Sequence, residues 1–240
     1  MDIASIKALL QDVSTPTIQT QLFKRGLRNT VLFGLRPVAP EHCRFVAEAF
    51  TLRYIPARED LDVLAAFEDP HHPQRAAIEA APPGSALVMD SRNDPRAASA
   101  GGILATRMQR RGLAALITDG SVRDSGEIAG LGMPTFTAAV CATTNLVLHH
   151  AVEYDVPIGC AGVPVFPGDI LVGDADGVVV IPRHLAAEVA QDAAEQERLE
   201  AFIIERVRAG APLPGTYPPS AQLRAEYEEQ RFAQDRSTPR

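Results

Sequence analysis

Apolar and polar positions follow a helical period at both ends of the chain. Apolar residues recur at helical spacing over residues 3–12, and the polar residues Ser14 to Thr17 predict a cap followed by a second helix over residues 17–25. A longer helix is predicted over residues 185–208, where Gly210 supplies a C-terminal stop. The pattern therefore predicts N-terminal helices and a long C-terminal helix.

Between these ends, short apolar runs predict strands that alternate with helices. The predicted strands cover residues 30–35, 45–55, 86–90, 113–118, 134–138 and 156–159. Short helices are predicted over residues 74–81, 101–111 and 125–131. Residues 170–172 and 177–181, joined by a Gly-Asp-Ala-Asp turn, predict a hairpin. Alternating strands and helices predict an α/β fold, to which the hairpin adds an antiparallel element.

The chain is predicted to form one α/β domain over residues 1–219. Prolines make residues 211–219 irregular, and the charged residues 220–240 form either an interface helix or a loose tail. The polar, Pro-rich stretch over residues 59–83 is a long connection for a compact domain, and such connections are usually functional or flexible.

Composition excludes several classes of protein. Hydrophobic residues make up 46% and charged residues 22% of the 240 residues, as in ordinary globular proteins. The net charge of -7 argues against a nucleic-acid partner, because phosphate binding needs a basic surface. The 3 cysteines form no CxxC pair, and no apolar run reaches the roughly 18 residues of a membrane span. We expect a cytoplasmic protein with no membrane partner.

The strongest candidate for chemistry is the loop predicted over residues 119–124, directly after a strand predicted to end at Thr118. Ligands of α/β sheets collect at the carboxyl ends of strands. The guanidinium of Arg123 can grip a carboxylate by two hydrogen bonds, and the carboxylate of Asp124 suits Mg²⁺ or Mn²⁺. The spacing of Asp124 and Glu127 also fits a helix capping box, with Arg123 in a surface ion pair. Both interpretations remain open at this point.

A second candidate is the pair Gly101-Gly102, which opens a predicted helix. Free backbone N–H groups at a helix start bind anions, although a tight turn would explain the same glycines. That helix leads into the strand before Asp119, so a βαβ-like unit would bring both loops to one sheet edge. The doublets at residues 71–72 and 149–150 lack partners at ligand spacing and are interpreted as surface or packing histidines.

Several stretches together resemble the signature of the RraA-like family. The residues that carry the likeness are SAGGILA at 99–105, GLAALITDGSVRD at 112–124, PIG at 157–159, VFPGD at 165–169 and GDADGVVVIP at 173–182. The likeness extends over roughly residues 15–217. This family includes class II 4-hydroxy-4-methyl-2-oxoglutarate aldolases and the regulator of RNase E activity. The resemblance implies a swivelling β/β/α domain, assembled as a homotrimer or a dimer of trimers with active sites between subunits.

The resemblance also implies roles for particular residues. Arg123 would hold the substrate's carboxylate and carbonyl region, and Asp124 would bind Mg²⁺ or Mn²⁺. A glutamate on the neighbouring subunit's C-terminal helix would orient metal-bound water, with Glu200 the first match and Glu197 the second. The Gly-rich loop implied to bind substrate, with amides that receive its carboxylate, comprises Gly101, Gly102, Ile103 and Leu104.

One position departs from the family pattern. Many members carry an acidic residue where this chain has Gly102, and Asp90 or Asp119 is a candidate substitute. The implied activity is metal-dependent C–C cleavage of a small 2-oxo acid to pyruvate, by aldol cleavage or by decarboxylation of oxaloacetate. Since Lys7 and Lys24 are the only lysines, imine chemistry is disfavoured. The alternatives are a non-catalytic regulator that binds RNase E and a lyase or hydrolase of a related sugar-derived 2-oxo acid.

Overall fold

The computed structural model describes residues 1–237, which form one large mixed sheet with helices packed against it. Over these residues the helices are α1 (Ile3–Leu10), α2 (Thr15–Lys24), α3 (Pro73–Ala80), α4 (Gly102–Arg110), α5 (Ser125–Gly130), α6 (Ala186–Arg208) and α7 (Ala221–Ser237). The strands are β1 (Arg36–Pro37), β2 (Phe45–Pro56), β3 (Ser85–Asp90), β4 (Ala98–Ala100), β5 (Ala115–Val122), β6 (Thr135–Val140), β7 (His149–Tyr154), β8 (Ile158–Cys160), β9 (Val163–Val165), β10 (Ile170–Asp174) and β11 (Gly177–Ile181). The predicted N-terminal helices and the long C-terminal helix are confirmed.

The main sheet is parallel in its centre and antiparallel at its edges. Its strand order is β1-β6-β5-β3-β2-β10-β11, with β4 beside β5 and β7 beside β2. The pairs β2–β3, β3–β5, β4–β5 and β5–β6 are parallel. The predicted hairpin forms β10 and β11, with Asp174 opposite Gly177 at its turn. This arrangement confirms the predicted α/β class.

The apolar runs of the central strands are buried because both faces of the sheet are covered. In β3, Ala86 and Val88 pack into a cluster beside the β8–β9 hairpin, while Leu87 and Met89 pack into a cluster beneath α3, α4 and α5. This alternation follows the two-residue period of a strand. A third cluster joins α1, α2 and α6 to β10 and β11.

The structure corrects the predicted boundary of the central strand. β5 continues past Thr118 to Val122, so residues 119–122 belong to a strand that was predicted to be a loop. The strand continues because Ser121 and Val122 pair with β6, after an irregularity between Thr118 and Ser121. Only Arg123 and Asp124 of the predicted loop lie beyond its end.

Several further strand assignments differ from the pattern. Residues 30–35 were predicted as a strand, but they make only a single bridge, between Val31 and Val179. β4 and β7 were not predicted, because β4 is very short and β7 begins with His149 and His150 and ends with the polar residues Glu153 and Tyr154.

The C-terminal segment forms a helix that packs on α6. The Tyr227 hydroxyl donates a hydrogen bond to Glu195 at 2.9 Å, and the rings of Phe202 and Tyr227 lie 5.6 Å apart. Arg231 adds an ion pair with Glu195 at 2.8 Å. Of the two alternatives for this segment, the helix is therefore confirmed up to Ser237. Its role as an interface stays a prediction. Residues 238–240 lie outside the described residues. In the part described, no helix has the length and apolarity needed to cross a membrane.

Candidate active site

A cavity of about 330 Å³ lies at the carboxyl ends of two adjacent parallel strands. β4 ends at Ala100, opposite Val122 at the end of β5, and the Arg123 amide donates to the Ala100 carbonyl at 3.0 Å. The segments that follow these two strands therefore meet at one sheet edge, as the sequence predicted. The cavity is lined by Leu64, Phe67, Gln74, Arg75, Ala98, Ser99, Ala100, Gly101, Ile103, Leu104, Arg123, Asp124, Thr144 and Asn145.

Asp124 faces this cavity and does not cap α5. Its backbone is left-handed, with φ 56°, and its side chain makes no capping hydrogen bond to the helix that follows. The carboxylate Oδ2 instead accepts a hydrogen bond from the Gly102 amide at 3.0 Å and lies 3.7 Å from Arg123 Nε. The capping-box interpretation is therefore wrong. Non-glycine residues in this backbone region are uncommon and concentrate at functional sites, although aspartate tolerates the region better than most residues.

Gly101 is required for the close approach of the two charged side chains. A Cβ at this position would lie 2.8 Å from both Arg123 Nε and Asp124 Oδ2. Both charged side chains remain accessible, at 46% and 48% exposure. The amides of Ile103 and Leu104 precede the first α4 hydrogen bond, which runs from the Ala105 amide to the Gly101 carbonyl. Free N–H groups and a guanidinium thus converge beside one carboxylate.

The carboxylate of Glu127 lies beside Gly102, where the family pattern implies an acidic side chain. Its carboxylate occupies the space that a side chain at Gly102 would fill, so the two positions cannot both carry large side chains. Glu127 reaches this place from the first turn of α5, one turn beyond Asp124. The one signal for Glu127 in the sequence is its spacing from Asp124, and that spacing predicts a capping box instead.

Neither Asp90 nor Asp119 lines the cavity, so neither replaces an acidic group at residue 102. Asp119 is 1% exposed and accepts hydrogen bonds from the amides of Ser91, Asn93 and Ala161 at 2.6, 3.0 and 3.1 Å. Burial raises the pKa of the Asp119 carboxyl above its usual value. Asp90 accepts from the amide of Arg92 at 2.9 Å. Both aspartates hold loops in place.

The two candidate glutamates of the C-terminal helix face α2 within their own chain. Glu200 accepts hydrogen bonds from Gln196 at 2.7 Å and from the Thr17 hydroxyl at 3.4 Å. Glu197 accepts from the amide and hydroxyl of Ser14 at 3.2 and 3.1 Å. Neither lines the cavity of this chain, and a contribution to a neighbouring subunit's site stays a prediction.

Two segments of the cavity wall are absent from the site that the sequence predicts. Phe67, Gln74 and Arg75 come from the connection before β3, and Asn145 comes from the turn before β7. Gln74 is buried and donates hydrogen bonds to the Ser99 carbonyl at 2.7 Å and to the Tyr54 hydroxyl at 3.1 Å. The unusual length of the connection was the one signal in the sequence that this wall existed.

The donor set at the cavity edge fits a hard divalent cation. Asp124 and Glu127 both lie beside the start of α4, and Gly101 and Gly102 leave the open space that two carboxylates need. Among residues 1–237, no three His, Cys, Asp or Glu side chains gather as a metal site. Mg²⁺ commonly uses one or two carboxylates and completes its shell with water and substrate oxygens, so two carboxylates suffice for it.

The fold is that of an α/β protein with a cavity at the ends of its central parallel strands. The RraA-like family model, described as Aldolase/RraA, matches residues 15–180, and the chain belongs to this family. This match confirms the resemblance noted in the sequence. The described residues thus combine the family fold with an exposed Arg-Asp pair.

Proteins similar to this chain include some named as aldolases and some named as RNase inhibitors. A Halalkalibacterium halodurans protein provisionally named 4-hydroxy-4-methyl-2-oxoglutarate aldolase is 36% identical over 140 residues, which are 55% of this chain and 65% of that protein. The chain thus spans just under two thirds of that relative's length.

Two solved structures have the same fold. Streptomyces coelicolor RraAS2, described as an unusual member of the RNase ES inhibitor RraA family, has a TM-score of 0.73 at 28% identity, covering 84% of this chain and 96% of that one. An uncharacterised Pseudomonas syringae protein has a TM-score of 0.77 at 25% identity, covering 89% and 97%.

Proposed function

We propose that this protein is a divalent-metal-dependent lyase that cleaves a C–C bond of a small 2-oxo acid to release pyruvate. The observation that carries the proposal is the cavity in which Arg123, Asp124 and the amide-rich start of α4 converge. The aldolase names of relatives support the same class of reaction. The substrates that fit are 4-hydroxy-4-methyl-2-oxoglutarate, which would undergo aldol cleavage, and oxaloacetate, which would lose CO₂.

The residues of the cavity would bind and orient the 2-oxo acid end of the substrate. The amides of Ile103 and Leu104 would donate hydrogen bonds to its carboxylate, as helix starts do for anions. Arg123 would donate to the 2-oxo oxygen and stabilise the negative charge that develops there as the C–C bond breaks. Gly101 would let the substrate approach both groups, because no side chain stands between them.

Asp124 and Glu127 would hold the cation and its water at the other edge of the same site. A bound Mg²⁺ or Mn²⁺ would supply Lewis acidity to the 2-oxo group. In the aldol cleavage the C3–C4 bond would break as the 4-hydroxyl loses its proton and its carbon becomes the carbonyl of a second pyruvate. In the decarboxylation of oxaloacetate the same C3–C4 bond would break and C4 would leave as CO₂. In both reactions the two electrons of the bond would pass into the 2-oxo acid fragment, and a proton added at C3 would complete pyruvate. A glutamate of a second subunit, with Glu200 the first candidate, would complete the site in a homotrimer or a dimer of trimers.

The test is pyruvate release from each substrate with Mg²⁺, with Mn²⁺ and with excess EDTA. We expect turnover with either metal and its loss in EDTA, followed by recovery when metal is added back. Full activity in EDTA would contradict the metal-dependent reaction. Absence of pyruvate from both substrates under all metal conditions would contradict the proposed function.

A second candidate function is that of a regulator that binds an RNase E-type nuclease and performs no chemistry. The fold shared with the RNase ES inhibitor family supports it. Gly102 supports it too, because the family resemblance implies an acidic residue at this position in many members. The discriminating experiment measures nuclease inhibition by the Arg123→Ala variant. Inhibition by a variant that releases no pyruvate would favour the regulator, whereas pyruvate release by the wild type without nuclease inhibition would favour the lyase.

A further inference from the structure

The cavity contains a second arginine, Arg75, which forms no ion pair with the described residues. Arg75 and Arg123 line the same cavity but come from different segments, at the start of α3 and after β5. For the side chains that the structure describes, no carboxylate comes within ion-pair distance of Arg75. Other arginines nearby are paired, because Arg107 and Arg111 both contact Glu79.

The position of the Arg75 side chain is fixed by its neighbours. Its guanidinium lies 3.7 Å from the centre of the Phe67 ring, and Nη1 donates a hydrogen bond to Gln74 Oε1 at 3.2 Å. Gln74 is itself held by its hydrogen bonds to the Ser99 carbonyl and the Tyr54 hydroxyl. A planar guanidinium stacked on an aromatic ring keeps its outer N–H groups directed to a ligand, at a smaller loss of side-chain entropy.

Burial makes the positive charge of Arg75 unfavourable in the absence of an anion. Partial burial lowers the pKa of the guanidinium, because the charged form loses part of its hydration. A half-buried cation in a cavity is therefore best compensated by an anionic ligand, and guanidinium binds carboxylates by paired hydrogen bonds.

A buried amide donor in the same wall also lacks an acceptor. Asn145 is 4% exposed and lines the cavity, and none of the described residues accepts a hydrogen bond from its Nδ2. Buried polar groups are almost always hydrogen-bonded, so such a donor indicates a partner oxygen that the described residues do not supply. Leu64, Ile103 and Leu104 complete the wall with apolar side chains, which suit a short carbon chain.

We propose that Arg75 and Asn145 form a second carboxylate subsite that selects dicarboxylic 2-oxo acids over monocarboxylic ones. Arg123 and the start of α4 bind the 2-oxo acid end, and Arg75 and Asn145 bind the distal carboxylate. This assignment rests on the proposed function, since it requires a 2-oxo acid in the cavity. Arg75 is thus a specificity-determining residue with no part in bond cleavage.

The experiment compares two five-carbon acids that differ only at the far end. Calorimetric titration of the full chain with Mg²⁺ measures the affinity for 2-oxoglutarate and for 2-oxopentanoate, whose terminal methyl replaces the carboxylate. We expect wild type to prefer 2-oxoglutarate, and Arg75→Gln to weaken only that acid, by about 10- to 100-fold. Arg75→Lys keeps the charge without the paired geometry and should show an intermediate loss.

Matched variants separate this subsite from general charge effects. Arg110→Gln removes the same charge from an exposed position at the end of α4 and should change neither affinity. Asn145→Asp adds a negative charge at the subsite and should weaken 2-oxoglutarate while leaving 2-oxopentanoate within about twofold.

The outcomes distinguish the two proposals. If both acids bind but the preference for 2-oxoglutarate is absent, or survives in Arg75→Gln, the subsite is overturned and the proposed function stands. If neither acid binds wild type, the proposed function is overturned and the subsite with it. Loss of both acids in Arg75→Gln, with an unchanged unfolding transition, would show that Arg75 serves the whole cavity and would also overturn the subsite.

Discussion

Asp119 and Asp124 lie five residues apart on one stretch of chain, yet their surroundings are opposite. Asp119 lies inside β5, is 1% exposed and accepts hydrogen bonds from three backbone amides. Asp124 lies just past the strand, is about half exposed and accepts one amide hydrogen bond while its backbone is left-handed. Both residues belong to the segment that runs from β5 into α5, but only the carboxylate of Asp124 is accessible to a ligand.

This difference separates a carboxylate that serves the fold from one that is accessible to a ligand. The amides that Asp119 binds belong to Ser91, Asn93 and Ala161, and the last two have left-handed backbones that a turn requires. Asp119 thus holds two loops in conformations that are otherwise unfavourable. Asp124 itself has the unfavourable left-handed backbone, and its charged side chain lines the cavity. Hydrogen-bond satisfaction and position relative to the cavity therefore separate the two carboxylates in the same way.

The largest expected effect is the loss of turnover in Asp124→Asn. Asparagine tolerates the left-handed backbone, so the free energy of unfolding should change by less than about 0.5 kcal/mol. Pyruvate release should fall by about 10²- to 10³-fold, because a neutral amide is a poor ligand for a hard cation. Asp155→Asn is the matched control, since Asp155 is exposed and has φ 57°. An unchanged rate in Asp124→Asn would contradict the site assignment.

The next effect is the destabilisation expected for Asp119→Asn. One amide oxygen replaces two carboxylate oxygens, so the new NH₂ group faces backbone donors and leaves at least one buried N–H unsatisfied. The free energy of unfolding should fall by about 1–3 kcal/mol for each such donor, measured by urea denaturation. Asp176→Asn, at an exposed position, should have little effect. A variant as stable as wild type would show that Asp119 is not a structural clamp.

The smallest effect is the pH dependence of that destabilisation. Because burial raises the folded-state pKa of Asp119, its contribution to stability is fully present below the unfolded pKa of about 3.9 and is lost as pH rises through the folded pKa. The stability gap between wild type and Asp119→Asn should therefore be widest near pH 4 and narrower at pH 7. Urea denaturation of both proteins across this range measures the gap, and a gap that widens with pH would contradict the raised pKa.

The sequence predicted the elements whose pattern is strong and local. The buried run before Asp90, the helix that Gly102 opens and the long C-terminal helix all form close to the predicted bounds. The pattern failed around Asp119, because a polar residue and a glycine inside a buried strand have the composition of a loop. The pairing of Ser121 with Ala139 on β6 makes that segment a strand, and no local pattern reports a pairing with a distant residue.

By itself the sequence determined which residue types stand at the end of the central strand, and the match over residues 15–180 places the chain in its family on that basis. Tertiary structure alone decided that Asp119 is buried, that Glu127 occupies the space above Gly102, and that Arg75 and Asn145 share a wall with Arg123. The physical reason is that helix and strand periods arise from neighbours along the chain. The composition of a cavity arises from the order in which distant strands pair.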